Sequence, residues 1–333
     1  MATLVLTVTE TLRYRGKLGQ WSWALHRIAG LGTLLFLFLH VIDTSWAVFY
    51  PQLYAEAIAV YQSPLFTVGE FALVACVVYH ALNGFRIVIF DYKPQWWHRQ
   101  AEAARLVLLG TVIILIPTFY LMFGHVLKFY EGGKPVDLKL DLVIREQLPF
   151  AAGAIGVVVL GILISAVYGL IPGANARKTG KRSAYDSFMW SFMRVSGVLI
   201  IPLVFGHLAM MHVIQGVFDI TKAGHVPVLS DTTSLTGSAF EFVAIRWNTM
   251  FAGVFIWRIY DVALLAFTVI HGFNGLRYVV NDYVHNLTVN RGMNIAILVT
   301  AIALIIIGGL AIINTIPTST VQMLAQASSQ AVH

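Results

Sequence analysis

The sequence predicts an all-α transmembrane protein, a seven-helix bundle made of two parallel three-helix repeats plus one linking transmembrane helix. Three observations lead there. Of 333 residues, 58% are drawn from AVILMFWYC and only 11% are charged, against about 25% charged in an ordinary globular protein, so a soluble fold could not cover its surface. The apolar residues gather into seven runs of span length. The second half of the chain repeats the first, histidines included.

A span needs about 20 largely apolar residues, and the runs are 22–49, 65–90, 104–127, 148–171, 188–216, 259–281 and 293–315. Lys and Arg favour cytoplasmic flanks. Arg13, Arg15 and Lys17 precede the first run, Lys93 and Arg99 follow the second, Arg177, Lys178, Lys181 and Arg182 follow the fourth, and Arg291 follows the sixth. Those four segments are assigned to the cytoplasm. Residues 50–64 carry no Lys or Arg, 131–147 balances its charges, 218–246 is mixed and the stretch after 316 is uncharged, so these are assigned outside. The formal charge of +6 therefore reports topology, with the N-terminus inside and the C-terminus outside, and gives no reason to expect a nucleic-acid partner. The first run has span length and no small-residue cleavage site, so the first helix is expected to stay.

Residues 172–187 are rich in helix breakers and charge and divide the halves. Residues 1–130 form the first repeat, 131–187 the linking helix 148–171 with its cytoplasmic linker, and 188–333 the second repeat. Cys76 is the single cysteine. It cannot form an intrachain disulfide, and there is no C-x-x-C-H for covalent haem and no cysteine set for an iron–sulfur cluster. The eleven histidines are the candidate ligands.

The repeat is detailed. Trp23, Arg27, Gly30 and His40 recur as Trp190, Arg194, Gly197 and His207 at one offset of 167 residues. His80, Asn83, Gly84, Arg86, Asp91 and Tyr92 recur as His271, Asn274, Gly275, Arg277, Asp282 and Tyr283 at an offset of 191. Both halves start in the cytoplasm, so a pseudo-two-fold axis along the membrane normal is expected. It pairs His40 with His207 and His80 with His271 at equal depth. A lone histidine in an apolar helix usually serves helix packing, but four in two matched pairs inside a membrane favour function. Facing imidazoles without cysteine or carboxylate suit axial ligation of a haem b, and two pairs imply two haems.

His80, Asn83, Gly84 and Asp91 share one helix stripe, and His271, Asn274, Gly275 and Asp282 repeat it. Gly84 and Gly275 would leave room for a macrocycle. The aspartates would lie about 16 Å toward the cytoplasm from their histidines. His212 has no repeat partner. On an α-helix it points about 140° away from His207, which favours a polar contact near the outer surface or a distal propionate. His125 reads as interfacial, and His26, His98, His225, His285 and His333 as solvent-facing. Arg258 and Asp261 read as an i, i+3 capping pair.

His-Arg-Ile-Ala-Gly at 26–30, the Gly-x9-His spacing and His-x2-Asn-Gly-x-Arg-x4-Asp-Tyr resemble the cytochrome b membrane anchors of succinate dehydrogenase and fumarate reductase, complex II. The first half resembles the larger anchor and the second the smaller, fused into one chain. Each separate anchor has three spans, and 148–171 supplies the return crossing that fusion requires. The resemblance implies a bacterial cytoplasmic membrane and electron transfer from succinate to quinone. It assigns His80 and His271 to the proximal haem and His40 and His207 to the distal one. Arg27, Asp282 and Tyr283 would contact quinone, menaquinone or ubiquinone, beside Trp23 and Ser22; a Ser often stands where Trp23 is. Arg194, Asp91 and Tyr92 form an equally complete mirror site. An Arg27–Asp282 ion pair snorkelling at the interface is the plainer alternative. The implied partners are an iron–sulfur subunit and a flavoprotein subunit on the cytoplasmic face, the bilayer, and a higher oligomer of the complex. The chain alone would not oxidise succinate. A quinol:fumarate reductase anchor, a two-haem cytochrome b of a hydrogenase or formate dehydrogenase, and a haem-free parallel-repeat transporter stay as alternatives.

Overall fold

The computed structural model describes residues 16–131, 133, 140–171 and 184–314. Arg13, Arg15, Arg177, Lys178, Lys181, Arg182, His333 and the linker residues 172–183 lie outside the described residues. The described residues are mostly helical: α1 Leu18–Phe49, α2 Pro51–Tyr61, α3 Pro64–Tyr92, a 3-10 segment Pro94–Arg99, α4 Gln100–Phe129, α5 Leu140–Gly169 and α6 Ala184–Ala209. A π-helical turn Met210–Ile214 extends α6, and α7 Ala239–Asn248, α8 Ile256–Tyr283 and α9 Leu287–Ile313 follow. Among the described residues, seven helices are long and apolar enough to cross a membrane: Leu18–Phe49, Pro64–Tyr92, Pro94–Phe129, Ala151–Gly169, Ala184–Ile214, Ile256–Tyr283 and Leu287–Ile313. They coincide with the seven runs of the sequence. The protein is a multi-pass, all-α transmembrane bundle.

Local chemistry sets the breaks. Pro51 and Pro64 begin α2 and α3, the helix positions where a missing N–H costs least. Pro117, Pro149 and Pro202 lie inside α4, α5 and α6, which membrane helices tolerate when neighbours satisfy the freed carbonyls. Asn286 caps α9, its side chain accepting the Val289 N–H at 3.1 Å. Helices α5 and α9 pack backbone to backbone, since a Cβ on Gly161 would strike the Gly292 carbonyl and one on Gly292 the Ile162 backbone.

The principal core sits at one end of the bundle, outer in the orientation the charge pattern predicts, with Trp46, Ala47, Tyr54, Phe240, Trp247, Trp257 and Val269 at its centre. Two segments expected as loops build it. Residues 50–64 form α2. Residues 218–246 contribute α7, which buries Phe240, Glu241, Phe242 and Trp247. An antiparallel hairpin, β1 Met250–Phe251 and β2 Val254–Phe255, joins α7 to α8.

The expected Arg258–Asp261 pair does not form. Asp261 instead accepts from Arg246 Nη2 and Trp247 Nε1, both at 2.9 Å. Arg258 donates to the Trp247 and Ile313 carbonyls and to Asn248 Oδ1. The buried α7 brings Asp261 a better partner than its helix neighbour, and carbonyls left at the ends of α7 and α9 take the other cation.

Candidate functional site

The fold brings both histidine pairs together from opposite halves. The His80 and His271 ring centroids are 6.4 Å apart with planes at 88°, and those of His40 and His207 are 5.9 Å apart at 77°. Two imidazoles bonded at about 2 Å to one metal have centroids about 6 Å apart, so the spacing of each pair is the one that axial ligation of a single iron would require. Among the described residues no three His, Cys, Asp or Glu side chains gather as ligands of one metal ion.

The rings are oriented by what lies behind them. His80 Nδ1 is 3.0 Å from the His26 carbonyl and His271 Nδ1 is 2.9 Å from Ser196 Oγ. A carbonyl can only accept, so His80 carries its proton on Nδ1 and presents Nε2, the arrangement by which a bonded histidine is prepared to ligate a metal. His207 Nδ1 is buried with no partner. The glycines that meet the rings are Gly30 and Gly197: a Cβ there would stand 2.7 Å from His80 Cε1 and 3.3 Å from His271 Cε1. Gly84 and Gly275 face His26 and Met193 instead.

His26 requires a correction. It does not face solvent; its ring stacks on His80 with centroids 4.0 Å apart and planes 7° from parallel. Its position one residue before Arg27 suggested a boundary, but α1 starts at Leu18 and carries it inside the bundle. His225 also leaves solvent, contacting the Gln215 side-chain nitrogen at 2.5 Å and stacking on Phe242. His98 and His285 are exposed. His212 falls in the π-helical turn, where the 100° step of an α-helix does not apply. It lines a small cavity with Thr67, Glu70 and His125.

At the opposite end Arg27 pairs with Asp282, its guanidinium 4.0 Å from the Trp23 ring centre and 5.9 Å from that of Tyr283. Four of the five residues assigned to quinone are thus gathered. Ser22 turns away: it is buried, donating to Asn83 Oδ1 at 2.9 Å and lying 3.0 Å from the Tyr79 hydroxyl. The mirror site pairs Arg194 with Asp91 through Nε at 3.0 Å and Nη2 at 2.7 Å, the guanidinium 3.9 Å from the Trp190 ring centre. The two differ in access, since the Asp282 side chain is 52% exposed and that of Asp91 19%. Tyr92 and Tyr283 are both exposed.

The family model described as the succinate dehydrogenase/fumarate reductase transmembrane subunit matches residues 8–119 and 172–310. The chain belongs to this family. Among its relatives, the "Succinate dehydrogenase 2 membrane subunit SdhC" of Mycobacterium tuberculosis is 38% identical over 123 residues, 35% of this chain and 88% of that one. The "Succinate dehydrogenase hydrophobic membrane anchor subunit" of Halobacterium salinarum is 29% identical over 104 residues, 30% of this chain and 80% of that one. No solved structure matches the chain. As a succinate dehydrogenase/fumarate reductase membrane anchor, the chain takes part in enzymatic turnover at the level of the complex.

The signals sequence reading missed are the His26 stack and Arg246. The first lies one α-turn before Gly30, a spacing that puts it on the face toward α3. Arg246 had no motif to mark it.

Proposed function

We propose that this chain is the cytochrome b anchor of a bacterial succinate:quinone oxidoreductase, with both anchor repeats in one polypeptide and two bis-histidine haems b. The observation that carries the reading is the pair of cross-half imidazole contacts at 6.4 and 5.9 Å, at positions the repeat had already matched. Residues 1–130 and 188–333 are the two repeats, and 131–187 the connection with its return helix. His80 and His271 hold the proximal haem, and His40 and His207 the distal one. Haem iron, when bound, supplies reversible one-electron exchange at each pair.

Reduction of a quinone to a quinol consumes two electrons and two protons. Arg27, Asp282, Tyr283 and Trp23 are suited to the proton side. The Tyr283 hydroxyl donates to a quinone carbonyl, Trp23 offers a flat apolar wall, and the Arg27 cation stabilises negative charge building on the oxygens. Asp282, half exposed, relays protons from solvent. The more open Arg27–Asp282 site is the functional one, and the closed Arg194–Asp91 pair with Tyr92 is structural. The cytoplasmic face, which carries the basic connections, docks the iron–sulfur subunit and through it the flavoprotein. The N-terminus is cytoplasmic and the C-terminus outside.

The test is purification of the assembled complex through a tag on this chain. Flavoprotein and iron–sulfur subunits are expected to co-purify, with succinate-dependent reduction of a soluble quinone analogue and a b-type α-band that appears on adding succinate. A colourless complex would overturn the two-haem reading and leave a membrane anchor without haem. Fumarate reduction driven by quinol, without the reverse reaction, would assign the fumarate reductase direction.

A further inference from the structure

At the outer end one cation is only partly used. Arg246, near the C-terminus of α7, is 9% exposed. Its Nη2 donates to Asp261 Oδ1 at 2.9 Å, its guanidinium lies 4.7 Å from the Trp257 ring centre, and its Nε–H is buried with no acceptor. A guanidinium presents five donors in a fixed fork, and leaving a buried donor unpaired is costly. The ion pair with Asp261 ties α7 to α8 and accounts for Nη2. It does not account for Nε.

The surroundings say what lies beside that free edge. Trp257, Tyr260 and Asp261 stand at i, i+3 and i+4 of α8 and so share one face. That face meets α6: the Tyr260 hydroxyl donates to the Leu203 carbonyl, and a Cβ on Gly206, the residue before His207, would fall 2.9 Å from it. Arg246 is held over the same face by its contacts with Asp261 and Trp257. The buried His207 Nδ1, also without a partner, is a second polar atom left open at this layer. Neither α7 nor Arg246 belongs to the repeat; at the inner end the buried cation is Arg86 of α3, which donates to the Gln100 carbonyl and also keeps an unpartnered Nε.

We infer that Arg246 anchors a carboxylate of the group held between His40 and His207, which is a haem propionate if that pair ligates haem; the inference rests on the two-haem reading. Asp261 and Trp257 hold one edge and one face of the guanidinium. The Nε edge is then preorganised for an anion, in a dry setting where a charge-assisted hydrogen bond is strong. Arg246 is a positioning residue for the distal group and sets its charge environment.

The assembled complex is purified as wild type, Asp261→Asn, and the double variant Arg246→Gln with Asp261→Asn. The double variant leaves no lone buried charge and keeps the local net charge, which protects folding. The inner haem serves as the internal control, and the outer one is the haem lost in His207→Ala. In the double variant the outer haem is expected to pass to apomyoglobin about tenfold faster. Its midpoint potential is also expected to gain pH dependence between about pH 5 and 8, rising as pH falls, because a carboxylate no longer held ionised by Arg246 takes up a proton there and that favours the reduced haem. Asp261→Asn alone should keep the wild-type pH profile. Wild-type haem loss and pH profile in the double variant, or the whole change in Asp261→Asn alone, would overturn the anchor while leaving two haems in place. A wild type without an outer haem would overturn both.

Discussion

Gly30 and Gly197 occupy equivalent positions of the repeat, yet packing separates them. An alanine at 30 would put its Cβ 2.7 Å from His80 Cε1 and 2.9 Å from Nδ1, whereas one at 197 would meet His271 Cε1 at 3.3 Å. Carbon atoms rest comfortably at about 3.5–4.0 Å, so the overlap approaches an ångström at 30 and is a few tenths at 197. The His80 ring has little room to yield, being stacked on His26 at 4.0 Å and tied to the His26 carbonyl at 3.0 Å. Overpacking of this kind costs about 1–3 kcal/mol, and loss of the Nδ1 bond adds about 1 kcal/mol. Gly30→Ala should therefore cost about 2–4 kcal/mol and Gly197→Ala less than about 1 kcal/mol. Thermal unfolding of the detergent-solubilised complex reads the first effect. Haem absorbance retained through gel filtration compares the two variants, with about 30-fold weaker retention at the His80 pair in Gly30→Ala for about 2 kcal/mol. Equal losses in the two variants, or a neutral Gly30→Ala, would refute the packing argument.

Arg27→Gln should lower succinate-driven quinone reduction by about 100-fold and leave dye reduction by the soluble subunits intact. Arg194→Gln should instead lower thermal stability by about 1–3 kcal/mol with little change in turnover, and the reverse pattern would move the quinone site to the mirror position. Gly292→Val drives a side chain into the Ile162 backbone and should cost at least about 1–3 kcal/mol; Gly309→Val, with nothing within 4 Å, should be neutral, and similar yields of folded protein from both would contradict the α5–α9 contact. Burial pushes the Glu241 carboxyl up, but the Thr236 hydroxyl, the Leu235 and Thr236 N–H groups and the Ser234 hydroxyl outweigh it and hold the pKa below the ordinary value. A lowered carboxylate stabilises fully above its unfolded value of about 4.3 and loses that contribution as pH falls through the folded value. Glu241→Gln should therefore melt below wild type at pH 7, with the gap closing below about pH 4; a gap constant down to pH 3.5 would remove Glu241 as the clamp of this loop.

The spans were legible because hydrocarbon tolerates little else: long apolar runs, their charged flanks and the histidine repeat are written directly in residue order. At the inner end the motif placed His80 beside His271 and Arg27 beside Asp282, Tyr283 and Trp23, but it did not show that His26 stacks inside, that Ser22 turns toward Asn83, or that Gly30 and Gly197 meet the rings. What escaped depends on partners far apart in sequence. Helix α7 reads as a polar loop because Glu241 and Arg246 interrupt it, and only the Ser234–Thr236 cradle and Asp261 make their burial tolerable. Arg258 and Asp261 satisfied a local spacing rule, but Arg246 reached the carboxylate from another element. Ser22 sits beside Trp23 in sequence, yet a helix turns adjacent residues about 100° apart, so one meets Asn83 while the other meets Arg27. His212 lies in a π-turn, so the α-helical step used to orient it does not hold, although it does line a polar cavity with Thr67, Glu70 and His125.

Haem stoichiometry tests the central claim most directly: pyridine haemochrome quantitation with low-temperature EPR on the purified complex, for wild type and for His40→Ala, His207→Ala, His80→Ala and His271→Ala. Two b haems per chain are expected, falling toward one in each variant, with His40→Ala and His207→Ala losing the same low-spin signal and His80→Ala and His271→Ala losing the other. One haem in wild type would return His40 and His207 to helix packing, and none would contradict the electron-transfer account altogether.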